Sequence, residues 1–153
     1  MATGRTISDL QKGDVLGTLA YTVTPFVVRE YCHAAGLHQE IFHGGTDGTQ
    51  AWPAPLVFCD KLRLFKLACP GGDGPDARVL AECKMVWTAP IRVGDRLIAE
   101  GRVVDRFAQR GRDRIEMEVV LRGADDGKTR LRFTDTAVFL SATKRRAGDR
   151  GRE

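Results

Sequence analysis

No stretch of this chain approaches the roughly 18 consecutive apolar residues that a membrane-crossing helix requires. Its opening, MATGRTISDLQKGD, has no apolar core of the kind a secretion signal carries. Both absences point away from the membrane and from export, so the cytoplasm is the expected location. Cysteine is sparse and unpatterned. Cys32, Cys59, Cys69 and Cys83 show no Cys-x-x-Cys spacing, and Cys32, Cys59 and Cys83 sit among apolar neighbours. They read as buried, reduced small hydrophobes rather than disulfide partners or metal ligands, and nothing else in the chain calls for a cofactor or a metal. Aromatics are few, at 7%, and no basic stripe is interleaved with them, which argues against a nucleic-acid partner. The formal charge of +4 is mostly terminal: Thr143 to Glu153 holds five cations against two acids, a net +3, leaving a nearly neutral body. That last segment has no apolar residue beyond Ala147 and is expected to be a disordered basic tail. There is no internal repeat. At 153 residues the chain is long enough for one good core.

What the chain does have is one strongly apolar stretch, PAPLVFCDKLRLFKLACPGG, from Pro53 to Gly72. Leu56, Val57, Phe58, Cys59, Leu62, Leu64, Phe65 and Leu67 leave almost no polar face, which predicts a long core helix wrapped on most sides. Pro53 and Pro55 suit its entry, and Pro70-Gly71-Gly72 stops it. Unpaired amides in its first turn, at Ala54, Leu56 and Val57, would suit a developing oxyanion.

Ahead of that helix, Met1 to Gly13 has little to pack and reads as a loose arm. Val15 to Val23 predicts a strand. Thr24-Pro25 predicts an N-cap and first helical residue, followed by Phe26, Val27, Val28, Tyr31, Cys32 and Ala35 at helical spacing and by a stop at Gly36. After Gly74 the pattern changes to a period of two. Val79 to Trp87, Leu97 to Val104, Ile115 to Leu121 and Leu131 to Leu140 predict strands joined by turns at Arg92-Val93-Gly94-Asp95, Gln109 to Asp113 and Asp125-Asp126-Gly127. The sum is an α+β domain over residues 14–142, an antiparallel sheet around a central helix.

The longest irregular piece, Leu37 to Trp52, holds His38, Glu40, His43, the pair Gly44-Gly45, and Asp47, which precedes Gly48 and suits a turn. His38 and His43 can serve as acid and base near neutral pH. Glu40 is a further candidate base, and Gly44-Gly45 would let backbone approach a ligand. Asp60 needs a partner inside so apolar a helix, and Arg63 stands three residues on. His33 reads as structural, and Trp52 and Trp87 as core or dimer-surface aromatics.

The element order, together with Val23-Thr24-Pro25, Arg29-Glu30-Tyr31, Ala34-Ala35-Gly36, Ala54-Pro55-Leu56-Val57-Phe58 and Pro90-Ile91-Arg92-Val93-Gly94-Asp95-Arg96-Leu97 leading into Gly101-Arg102-Val103-Val104, resembles the MaoC-like and fatty-acid-synthase-type dehydratases of the hot-dog fold. The resemblance spans about Val15 to Ser141. It implies acyl thioesters of coenzyme A or an acyl carrier protein as substrates, and assembly as a hot-dog homodimer or heterodimer. The family's catalytic signature, Gly-Asp-x-Asn-Pro-x-His, is replaced in register by Gly36-Leu37-His38-Gln39-Glu40-Ile41-Phe42. Leucine and phenylalanine cannot move a proton.

The expectation is therefore a dehydratase- or hydratase-type subunit for 3-hydroxyacyl thioesters whose partner chain supplies the acid and base. His43, His38 and Glu40 are its catalytic candidates. Gly44, Gly45, Ala54, Leu56, Val57 and Asp60 are the expected substrate-facing residues. A self-sufficient homodimer using His43 and a non-catalytic acyl-binding subunit are the alternatives.

Overall fold

A computed structural model describes residues 4–44 and 49–140; the basic tail, Gly45 and Asp47 lie outside them. Five strands, β1 (Val15–Thr22), β2 (Arg78–Trp87), β3 (Arg96–Gln109), β4 (Arg112–Gly123) and β5 (Thr129–Phe139), form one sheet in the order β1-β3-β4-β5-β2, every neighbouring pair antiparallel. Short turns make β3-β4-β5 a meander, and among the described residues the α-helices fall between β1 and β2, which occupy the two edges. Alternation places Leu97, Ala99, Val103, Ile115, Met117, Val119, Leu121, Leu131 and Phe133 in the core.

The first helix, α1 (Pro25–Ala35), is built as its sequence predicts. Thr24 accepts from the Val27 amide at 3.3 Å, and Gly36 closes the helix in the left-handed region at φ 65°. Val28 and Cys32 anchor it to the core.

The central helix departs from expectation in length and in surroundings. A 3-10 turn at Ala54–Leu56 runs into α2 (Val57–Ala68), 15 residues in all rather than a long helix. The two prolines favour the tight entry, and the chain leaves the helix at Cys69, just ahead of Pro70-Gly71-Gly72. Nor is α2 wrapped on most sides. One sheet covers one flank, where Val57, Leu64 and Phe65 are buried, while Leu62 and Leu67 are 58% and 56% exposed. Gly101 on β3 permits the close approach: a Cβ there would lie 2.9 Å from Leu64 Cδ1. The inward stripe also contains Asp60 and Lys61, so α2 turns charges toward the sheet and leucines toward solvent.

Within the expected N-terminal arm, residues 4–13 are described and pack against the body. Ile7 and Leu10 are buried in the core. Arg106 on β3 holds this segment: its Nη1 donates to the carbonyls of Ser8 (2.7 Å) and Leu10, its Nη2 to Asp113 (2.7 Å), and its Cζ lies 4.7 Å from the centroid of the Phe139 ring. Such a fork is not reproduced by an ammonium. Arg106→Lys should therefore lower stability by about 2 kcal/mol, measured by urea unfolding; an unchanged midpoint would show that the clamp contributes nothing.

The cysteines divide differently from the reading above. All four are free, Cys32 and Cys69 are buried, and Cys59 and Cys83 are exposed, because the flank of α2 and the inner side of the edge strand that carry them have no cover within this chain. Trp52 is a core residue, edge-on to the half-exposed Trp87 at 6.0 Å. Among the described residues no helix is long and apolar enough to cross a membrane.

Candidate functional site

Between α1 and α2 the chain turns on apolar residues. Leu37 and Phe42, which stand where the resemblance implies an aspartate and a histidine, are partly buried and packed against the core. Gln50 Nε2 donates to the Phe42 carbonyl at 2.6 Å, and the Ala51 amide donates to that of Ile41 at 2.8 Å. His38, Glu40 and His43 are all exposed. His43 Nε2 lies 3.1 Å from the Leu37 carbonyl oxygen, so the imidazole folds back on its own loop. Gly44 is partly buried with φ 105°.

The loop rejoins the body through a short antiparallel contact. Ala51 pairs with Arg92, and the Trp52 amide donates to Ile91 at 3.1 Å. This fixes the start of the central helix against the Arg92–Asp95 turn, itself closed by Asp95 Oδ2 accepting from the Arg92 amide at 2.9 Å. Two of the amides expected to be free there, those of Leu56 and Val57, are engaged. Leu56 donates to Pro53 at 3.0 Å, and Val57 donates to Ala54 and Pro55, because the 3-10 entry supplies acceptors that a simple helix start would lack. Val57 is fully buried, and Ala54 packs partly against the core.

The polar chemistry gathers one turn further on. Asp60 is 3% exposed and accepts from the Tyr21 hydroxyl at 2.7 Å, while its other oxygen lies 3.6 Å from Arg63 Nη1. Arg63 in turn stacks over the Tyr21 ring at 5.3 Å. Burial pushes the Asp60 carboxyl up to about 6, against the lowering pull of the Tyr21 hydrogen bond and of Arg63. Burial, reinforced by Asp60, likewise raises the Tyr21 phenol well above its ordinary value. These groups border a cavity of about 180 Å³ between the end of β1, the first turn of α1 and α2, with Thr24, Val27 and Leu56 among its walls. An acid that titrates near neutrality on a small, mixed cavity is the arrangement from which acid–base sites are made. Of the expected substrate-facing residues, Leu56 and Asp60 meet here; His38, Glu40 and His43 are not among the lining residues. Tyr21 was not foreseen, since in the sequence it is simply one aromatic in a strand.

A second unforeseen pair lies deeper. Lys61 reaches from α2 to Asp135 on β5, whose side chain is fully buried, and the ammonium also sits over the rings of Phe58 and Phe65 at 5.8 and 5.7 Å. Burial raises the Asp135 carboxyl, with Lys61 opposing. Beside this pair a crevice of about 140 Å³ opens between α2 and β2, lined in part by Leu62, Val79 and Leu80. A larger cavity, about 370 Å³, lies on the opposite face of the sheet. There Glu118 is held by Arg102 and Arg132, which outweigh its burial and keep its carboxyl below the usual range. Its acid is already committed, so volume alone does not make it the better site.

No family model matches this sequence, and no curated protein matches it. Solved structures do. A monoamine oxidase regulatory protein from Archaeoglobus fulgidus aligns at a TM-score of 0.70 and 17% identity, over 91% of this chain and 97% of that one. An (R)-hydratase from Pseudomonas aeruginosa aligns at 0.65 and 13% identity, over 89% and 86%. The HadBC (3R)-hydroxyacyl-ACP dehydratase complex from Mycobacterium tuberculosis aligns at 0.65 and 16% identity, over 83% and 96%. At these identities the likeness is one of fold, and the fold is the hot dog.

Proposed function

We propose that this chain is the non-signature subunit of a hydratase- or dehydratase-type hot-dog enzyme for 3-hydroxyacyl or 2-enoyl thioesters, paired with a second hot-dog chain that carries the acid and base. The observation that carries this reading is the packing of Leu37 and Phe42 onto the core. Where proton-handling residues would stand, this chain has two hydrophobes whose burial stabilises the loop and which have no proton to give or take. The open flank supports a partner. Leu62 on α2 and Val79, Leu80, Val86 and Trp87 on the edge strand are 43–58% exposed, and Leu62, Val79 and Leu80 border one crevice. An unpaired strand edge rimmed by apolar side chains is a surface that a second chain covers. Among the structural neighbours, HadBC is a complex.

The test is co-expression with a hot-dog chain bearing Gly-Asp-x-Asn-Pro-x-His, followed by hydration of a crotonyl thioester. This chain alone should stay at background, and the complex should exceed it by about 10²–10⁴, the usual contribution of positioned acid–base groups. His43→Ala should leave the complex unchanged. Turnover by this chain alone that disappears in His43→Ala would instead establish a self-sufficient enzyme. Leu80→Lys should weaken partner binding about 30-fold, as expected for an apolar anchor worth about 2 kcal/mol, and gel filtration of the mixture reads it directly.

A further inference from the structure

The cavity between α1 and α2 holds a feature that the partner reading leaves unused. Asp60 is a carboxylate with one oxygen hydrogen-bonded and the other held only by a longer ion pair. Oδ2 accepts from Tyr21 at 2.7 Å, whereas Oδ1 faces Arg63 Nη1 at 3.6 Å, beyond hydrogen-bond reach. An acid on the buried stripe of a helix costs stability, and its cation, Arg63, stands too far off to satisfy Oδ1 with a hydrogen bond. Such a group is retained where a ligand completes it. The missing partner has a definite character. It must donate to Oδ1 and, with Arg63 beside it, it can accept from the guanidinium; a hydroxyl does both. The rest of the space is small and partly apolar. About 180 Å³, with Val27 and Leu56 among the walls, is close to the size of an apolar cavity of about 150 Å³ that takes a benzene-sized molecule. It would admit a head group of four to six carbons, and not a long chain.

We infer that this cavity is a subsite for the hydroxyl-bearing head of a short 3-hydroxyacyl group, with Asp60 accepting from the hydroxyl and Arg63 donating to it. The inference rests on the thioester reading above and adds to it a specificity-determining residue within this chain. Tyr21 is a positioning residue: its hydroxyl holds Oδ2 and so fixes the carboxyl at the cavity wall. A site built to satisfy a hydroxyl discriminates against the analogue that lacks one, because the buried acceptor is then left unpaired.

The experiment compares 3-hydroxybutyryl and butyryl thioesters of N-acetylcysteamine by titration calorimetry on the full chain, with its partner where one co-purifies. The hydroxy compound should bind at least tenfold more tightly. Asp60→Leu should erase that preference, and Tyr21→Phe should reduce it severalfold. In the unmutated chain, the Asp60 carboxyl carbon followed by ¹³C NMR should shift with the hydroxy compound and stay in place with butyryl, a readout that needs no variant to fold. Firm but equal binding of both compounds, or a preference that survives Asp60→Leu, overturns the inference and leaves the thioester reading standing. Binding of neither overturns both.

Discussion

Lys61→Met should cost about 3–5 kcal/mol, the range for stripping one partner from a buried ion pair, and so most of the stability margin of a domain this size. The side chain of Asp135 is fully buried and has Lys61 as its cation. Without that ammonium the carboxylate must either stay charged in the core or take up a proton. Burial already raises the Asp135 carboxyl, and Lys61 is what opposes the rise. Removing Lys61 raises it further, so the loss is largest at high pH and shrinks as acid protonates the group. The double change Lys61→Met with Asp135→Leu should recover the loss, since replacing both members with apolar groups is commonly neutral or stabilising by about 1–4 kcal/mol. Urea unfolding at pH 5 and pH 8 for the three variants measures all of this. A single variant as stable as the parent at pH 8 would mean that the pair is not buried in solution.

Asp60→Asn should move stability the other way. The folded carboxyl sits at about 6 against an ordinary 3.8, so folding takes up a proton between those values. Stability therefore falls as pH rises from about 4 to about 6, and above 6 the full penalty is present. Asparagine carries no such penalty, and its carbonyl still accepts from Tyr21. The variant should match the parent near pH 4 and exceed it by about 3 kcal/mol at pH 8, the equivalent of a shift of roughly two pH units. Asp135 contributes a slope of the same sign in both proteins, so the difference between their curves isolates Asp60. Parallel curves would show that Asp60 is solvated.

The strands and α1 were legible because their signals are local. Thr24-Pro25 and Gly36 carry their capping roles in their own chemistry, and the alternation of β3 to β5 is unbroken enough to name the inward face. The central helix was misread for a physical reason. Counting apolar residues in Pro53 to Leu67 predicts enclosure, whereas the helical stripe through Val57, Asp60, Lys61, Leu64 and Phe65 decides what is enclosed. Two charges fall on that stripe and two leucines fall off it. One clue was present: Asp135 is a lone acid in the inward register Leu131, Phe133, Asp135, Ala137, Phe139, and a lone inward acid demands a cation across the core. Tyr21 and Asp60 are 39 positions apart, and no local pattern joins them. The packing of Ile7 and Leu10 was likewise hidden, since it depends on Arg106, nearly a hundred residues away. Leu37 and Phe42 were visible as departures from the signature, and the structure adds where they go.

The irregularity in β2 bears on how this molecule behaves when concentrated. Leu80 pairs with Ala137 and Glu82 with Thr136, so Ala81 is an extra residue that kinks the outermost strand. A straight ladder could recruit copy after copy without end. This one offers two short runs out of phase with each other, so a second strand seats fully only if it bends to match. The break makes an endless edge-to-edge ladder harder to build.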